Sequence, residues 1–143
     1  MKKKVVFIQG SFDPLNWGHI KAFELAKSYG NFLIVGLNSD ELIEWYKRRS
    51  PILPFYQRKE IIEAIKYVDM VITASEPAPI NYLKKYKVDV YVLTKEWEEA
   101  NKLSIKYMEK KGKVVFSPRF NGVVCSTDIR RKLFEEFNKK EKE

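Results

Sequence analysis

QGSFDPLNWGHI (residues 9–20) follows the apolar run VVFI (5–8) and leads into Ile20, Phe23 and Ala26 at helical spacing. A short run rich in β-branched residues, closed by Gly10, reads as a buried strand. The segment after the turn reads as a helix over 17–29, ended by Gly30 and Asn31. Gly10 and Ser11 make the tight exit from the strand, Asn16 stands at the N-cap, and Trp17, Gly18 and His19 fall in the first helical turn. The rest of the chain repeats this strand–helix alternation. FLIVGLN (32–38) is a second strand, and 57–68 a helix with Ile61, Ile62, Ile65 and Val68 on one face. MVITA (70–74) is strand-like, a short helix falls around 79–86, and VDVYVLT (88–94) is a fourth strand. A helix over 98–111, the strand KVVFS (113–117) and a last helix from about Ser126 complete the chain.

Uniformly apolar strands separated by helices are the pattern of a parallel sheet covered on both faces. The expected fold is α/β: a Rossmann-like, doubly wound sheet of about five parallel strands with helices on both faces. The expected organisation is one domain over residues 1–134 and a charged tail over 135–143. Ligands in such sheets bind beyond the carboxyl ends of the strands, which directs attention back to the quoted turn.

The 143 residues are 45% hydrophobic, enough for one core, and carry a net charge of +8. A basic balance favours anionic partners, although the interleaved lysines and glutamates of the second half also suit solvated helix faces. The single cysteine, Cys125, excludes an intramolecular disulfide and reads as a small packed residue. The apolar run after Met-Lys-Lys-Lys is too short for a signal peptide, and no run approaches the length of a membrane span. A cytoplasmic protein with no membrane partner is expected. No nucleic-acid-reading motif is present, so nucleic acid is not an expected partner.

His19 is the only histidine. Protonated, it opposes the helix dipole unless an anion sits at the helix start. That start is itself an anion site, because its N–H groups lack partners, and Gly18 lets a phosphate approach the backbone closely.

G-S-F-D-P-L-N-W-G-H (10–19) resembles the signature of the HxGH nucleotidyltransferase superfamily. The likeness continues through NSDE (38–41), the basic Lys47-Arg48-Arg49, SPILPFYQRKEIIEAIKYVDMVI (50–72) and CSTDIRR (125–131). Within that superfamily the chain is most similar to the small glycerol-3-phosphate cytidylyltransferases, with a second likeness to the nucleotidyltransferase domain that makes ADP-heptose. The resemblance implies transfer of a nucleotidyl group from CTP, or alternatively ATP, to a small phosphorylated alcohol or sugar phosphate, with release of pyrophosphate. Attack is in line, so the protein is asked for positioning and charge stabilisation. Mg²⁺ is the implied cofactor, carried by the triphosphate with no protein ligand assigned, and a homodimer is the implied assembly.

The resemblance assigns His19 to the α- and β-phosphates, with Asn16 in the place of the first motif histidine. Gly10, Ser11, Phe12 and Gly18 would line the triphosphate turn. Lys47 would neutralise charge where the two phosphates meet, with Arg48 or Arg49 as substitutes. Arg58 would hold the acceptor phosphate, and Arg119 would meet the nucleotide. Ser126 and Thr127 would take the β- and γ-phosphates at the last helix start. Asp13, acidic in a phosphate site, would orient the loop or a Mg²⁺ shell. The blander alternatives are a solvated run for Lys47–Arg49, a helix-borne ion pair for Arg58 and a simple cap for Ser126. Two departures stand out. Asn16 cannot carry the charge of a histidine, and Thr94-Lys95-Glu96-Trp97 replaces a glycine–acid loop at the nucleobase pocket, which leaves CTP and ATP both open. Trp97 is the tryptophan placed to lie near the base.

Overall fold

The computed structural model describes residues 2–119 and 125–142. In chain order the elements are β1 (Val5–Gly10), α1 (Trp17–Ser28), β2 (Phe32–Asn38), α2 (Asp40–Lys47), α3 (Phe55–Glu63) and β3 (Met70–Ala74). There follow α4 (Ile80–Lys85), β4 (Val90–Thr94), two 3-10 turns (Lys95–Trp97 and Glu99–Asn101), α5 (Lys102–Lys111), β5 (Lys113–Ser117) and α6 (Ser126–Glu141). The strands form one five-stranded sheet in the order β3-β2-β1-β4-β5, and every pairing is parallel. This is the expected Rossmann-like α/β fold.

Alternation along the strands builds two cores. Val6 and Ile8 of β1, with Leu33, Val35 and Leu37 of β2, pack against Phe23 and Ala26 of α1 and Ile62 of α3. Val5 and Phe7, with Ile34, face the other way onto Leu83 of α4 and Ile105 and Met108 of α5. A parallel strand buried on both faces must be apolar at odd and even positions alike, and that is why the runs carry no polar alternation. Strand order reverses between β2-β1 and β1-β4, so the exit of β1 lies at the switch point.

Three differences from the sequence reading bear on the site. β1 continues to Gly10, because Gln9 and Gly10 stay paired with Gly36 and Leu37 beyond the last apolar residue. The stretch after Asn38, to which the sequence assigns no element, is a helix, α2, that ends in the basic cluster. Ser39 caps it, its Oγ accepting from Leu42 N–H at 3.1 Å. Asp40 and Glu41 suit the positive helix start, Lys47 suits its end, and Leu42 and Ile43 are buried. Lys47 is therefore the last residue of a helix, and Arg48 terminates it in the left-handed conformation at φ 57°. Finally, α6 runs through residues 135–141, so the expected charged tail is the exposed second half of a helix. Among the described residues no helix is long and apolar enough to cross a membrane.

Candidate active site

A cavity of about 600 Å³ opens at the carboxyl ends of β1, β2 and β4, walled in part by Gly10, Ser11, Phe12, His19, Lys47 and Ser126. Phe12 sets its geometry. Its backbone is left-handed (φ 48°), and its ring folds back over Gly10, where a Cβ would lie 2.8 Å from the ring. The ring meets Phe23 at 5.0 Å and stands edge-on to His19, at 5.0 Å and 89°. Gly10 is thus required by the ring that walls in the imidazole.

Asn16 caps α1 with its side chain: Oδ1 accepts from Gly18 N–H at 3.0 Å and His19 N–H at 3.4 Å. Two of the N–H groups expected to await a phosphate are therefore already partnered. His19 completes a capping box, its Nδ1 accepting Asn16 N–H at 3.1 Å. With Nδ1 accepting, the neutral ring carries its proton on Nε2. Burial first, and the positive Lys47 second, lower the His19 pKa from 6.5 to about 4. At neutral pH, then, His19 is not an imidazolium opposing the helix dipole. It is an uncharged imidazole in the cavity wall that presents an N–H donor.

The positive charge comes from elsewhere. Lys47, half-buried, makes no ion pair among the described residues. Its pKa is lowered by burial, then by Arg49 and Arg130, against a raising effect of Asp13. Arg130, which sequence reasoning missed, sits one turn along α6 from Ser126. Its Nη1 donates to Asp13 O at 3.0 Å and its Nη2 to Thr127 Oγ1 at 3.2 Å. The i, i+4 spacing from Ser126 was the signal available for it.

Asp13 and Arg58 are both occupied in holding the chain, Asp13 in one of its two expected roles and Arg58 in place of the expected one. Asp13 is 2% exposed, and its carboxylate accepts from Ile52 N–H (2.7 Å), Leu53 N–H (3.0 Å) and, at 3.5 Å, Arg49 Nη1. It orients the 49–53 loop, and those bonds leave little of it for a Mg²⁺ shell. Arg58 is 1% exposed. Its Nε donates to Leu53 O (2.9 Å), Nη1 to Ser11 O (3.0 Å) and Asn38 O (2.9 Å), and Nη2 to Asp40 Oδ1 (2.6 Å). The guanidinium binds the exits of β1 and β2 to the start of α2, so the expectation that it holds an acceptor phosphate gives way to a structural role. Its partner is Asp40, not a glutamate of its own helix.

The start of α6 is latched to the start of α1. Asn16 Nδ2 donates to Ser126 Oγ (3.2 Å), which donates to Pro14 O (2.9 Å). Cys125 is exposed rather than packed. Its N–H and Sγ–H both donate to Asp128 Oδ2 at 3.1 Å, and these bonds hold that carboxyl below the usual range. Across the cavity, Glu96 and Trp97 form wall. Arg119 Nη2 pairs with Glu96 Oε2 at 2.5 Å, which puts Arg119 at the rim. Residues 120–124, between Arg119 and Cys125, lie outside the described set. Lys95 Nζ sits 5.5 Å from the centre of the Phe116 ring, so it does not replace the missing loop acid in the cavity; Glu96 stands there. Among the described residues no group of three or more His, Cys, Asp or Glu side chains is placed to hold a metal ion.

A family model described as Cytidylyltransferase-like matches residues 7–132. Glycerol-3-phosphate cytidylyltransferase of Bacillus subtilis is 32% identical over 139 residues, covering 93% of this chain and 98% of that protein. The Staphylococcus aureus protein of the same name is 31% identical over 132 residues, covering 92% and 96%. Bifunctional protein HldE of Campylobacter jejuni is 38% identical over 98 residues, which span 68% of this chain and 21% of that longer protein. A solved structure titled as a lipopolysaccharide core biosynthesis protein from Thermoplasma volcanium superposes with a TM-score of 0.72 at 25% identity, covering 84% of this chain and all of that one.

Proposed function

This chain belongs to the cytidylyltransferase-like family and is a nucleotidyltransferase, and from that premise we propose that it transfers CMP from CTP to a small phosphorylated alcohol such as glycerol 3-phosphate. An oxygen of the acceptor phosphate bonds to the α-phosphorus as the α–β bridging bond breaks, and pyrophosphate leaves. The observation that carries this reading is Lys47 in the wall of the same cavity as a neutral donor, His19, with Arg49 and Arg130 near enough to disfavour the Lys47 charge. Like charges crowd Lys47, and a polyphosphate is the partner that relieves them. The Nε2–H of His19 donates to a phosphoryl oxygen and stabilises the charge that grows there. Ser126 and Arg130 bring the start of α6 to the same anion. Mg²⁺ carried by the triphosphate would shield its charge, with no residue of this chain assigned to hold it. A cytoplasmic homodimer is part of the proposal, and light scattering reads the assembly.

Glu96 and Arg119 favour a base whose pairing edge sets an amine beside an unprotonated ring nitrogen. Side by side they offer an acceptor and a donor, the complement of the cytosine edge and equally of the adenine edge. Uracil and guanine present the opposite order. ATP is therefore the second reading, supported by the HldE likeness. Pyrophosphate release is measured with each nucleoside triphosphate, Mg²⁺ and glycerol 3-phosphate. CTP-dependent release is expected; release with ATP alone replaces CTP by ATP, and no release across a panel of alcohol and sugar phosphates removes the activity.

A further inference from the structure

A chain of hydrogen bonds crosses the carboxyl ends of β1 and β2 and finishes in the cavity wall. Gln9 Nε2 donates to Glu76 O at 2.9 Å and to Asn38 Oδ1 at 3.0 Å. A backbone carbonyl can only accept, so the orientation of the Gln9 amide is settled, and with it that of Asn38. Asn38 Nδ2 then donates to Ser11 Oγ at 3.1 Å. Ser11 Oγ lies 2.5 Å from Tyr46 Oη. Ser11 already accepts from Asn38, and either hydroxyl can donate in its bond to Tyr46. One hydrogen bond between two hydroxyls uses one proton, so the other hydroxyl proton of the Ser11–Tyr46 pair, both of whose residues line the cavity, is left for a group outside the chain of bonds. Each bond polarises the next, which strengthens that last donor.

The sheet order divides the cavity. The β1–α1 turn lies in the middle, α2 lies on the β2 side, and Glu96 and Trp97 lie on the β4 side. The α2 side is walled by Leu42, Trp45, Tyr46, Lys47 and Pro77. It combines an exposed indole, the remaining O–H donor and, directly after Tyr46, the crowded Lys47. Gln9 also lines the cavity, and Gln9 Oε1 is a buried acceptor with no partner among the described residues. An ammonium suits a phosphate. A donor and an acceptor beside an aromatic face suit a carbon skeleton bearing hydroxyl groups, which donate, accept and turn C–H faces to a ring.

We propose that the α2 side of the cavity reads the hydroxyl groups of a phosphorylated polyol or sugar, with Tyr46 as the binding residue and Gln9, Asn38 and Ser11 as its positioning residues. This deepens the nucleotidyl-transfer reading and rests on it for the identity of the other half of the cavity. Tyr46→Phe removes the hydroxyl and keeps the ring, so the fold is retained, and the melting temperature checks this. Calorimetry compares glycerol 3-phosphate and a sugar phosphate with n-propyl phosphate, which has the same charge and no hydroxyls. The wild type is expected to prefer a hydroxylated ligand by about fivefold to tenfold. In Tyr46→Phe that preference falls to within about twofold, with n-propyl phosphate bound as before. A preference that survives the substitution, or a wild type with no preference for either hydroxylated ligand, overturns the proposal. The pyrophosphate assay separates the two readings. Turnover without a hydroxyl preference sinks the subsite alone; a Tyr46-dependent preference without turnover sinks nucleotidyl transfer and leaves the subsite standing.

Discussion

The β1–α1 turn and the stretch from Lys47 to Arg58 carry the same kind of side chains and use them in opposite ways. In the first, the backbone and Asn16 complete the helix cap, and His19 keeps its Nε2–H for the cavity. In the second, Arg58 spends its donors on three carbonyls and a carboxylate of its own chain, and Lys47 alone is left unpaired beside the cavity. A charged residue in a phosphate-binding stretch is thus a ligand group only if the fold has not already claimed its hydrogen bonds. Burial separates the two cases: Arg58 is 1% exposed, while Lys47 is half-buried in the cavity wall.

Arg58→Met tests that contrast most severely. The methionine leaves Ser11 O, Asn38 O and Leu53 O without their donor and Asp40 without its cation. Breaking a buried charged network costs roughly 3–5 kcal/mol. For a domain of this size that lowers the melting temperature by about 10–15 °C. A variant with unchanged melting temperature and a raised KM for the acceptor alone would return Arg58 to the ligand residues.

His19→Gln probes the other side. Glutamine at this helix position can still accept Asn16 N–H, so the capping box survives, while the imidazole donor to the phosphate is lost. We expect kcat to fall about 10²- to 10³-fold, as for removal of one preorganised donor, with the melting temperature at pH 7 nearly unchanged. The same variant changes the response to acid. The folded pKa of about 4 lies below the ordinary 6.5, so between those values the unfolded chain binds the proton and the folded chain does not. Stability drawn from neutral His19 is complete above pH 6.5 and is lost toward pH 4, by roughly 3 kcal/mol. Denaturation of His19→Gln across that window should fall less steeply than wild type; parallel curves would show an imidazole that is not desolvated.

Lys47→Met should cost less activity and cost the fold nothing. Losing one charge contact to the reacting phosphates lowers kcat/KM about 10- to 100-fold. Because burial and neighbouring cations already disfavour the Lys47 charge, removing it leaves the melting temperature equal or raised. A drop in melting temperature would mean that Lys47 is paired in the fold after all.

How much of this was legible in the sequence follows from the same distinction. The central strands were readable because double-sided burial forces continuous apolar runs, as in FLIVGLN (32–38); the half-exposed edge strands β3 and β5 were readable from their short runs rich in β-branched residues. α2 was not, although Ser39, Asp40 and Glu41 announced its start; its single-turn apolar pair, Leu42 and Ile43, is too short to show a period. The grouping of Ser11, His19 and Lys47 was legible because their motif positions fall on the wall of one cavity. The work of Arg58 was hidden, and so were the partners of Asp13, since these are backbone groups at residues 11, 38 and 52–53 that only the fold brings together. Tyr46 was hidden for the converse reason. Its role depends on a bond to Ser11 across 35 positions of sequence.

The smallest expected effect belongs to Asn16→His, which puts back the first histidine of the motif. Asn16 is fully engaged: Oδ1 caps α1, and Nδ2 holds Ser126. Histidine is a poor cap, so the substitution gives up about 1 kcal/mol of helix stability, or roughly 3–4 °C in melting temperature. It also loosens the latch between the starts of α1 and α6. Against this, an imidazolium facing the phosphates forms a charge-assisted bond about twice as strong as a neutral one. The two changes oppose each other in kcat, through a better charge and a less fixed helix start, so we expect no more than about a tenfold gain. A gain without any fall in melting temperature would mean that the cap is dispensable. A fall in both would mean that asparagine serves this site as a latch, and that this chain has moved the charge of the motif onto Lys47 and Arg130.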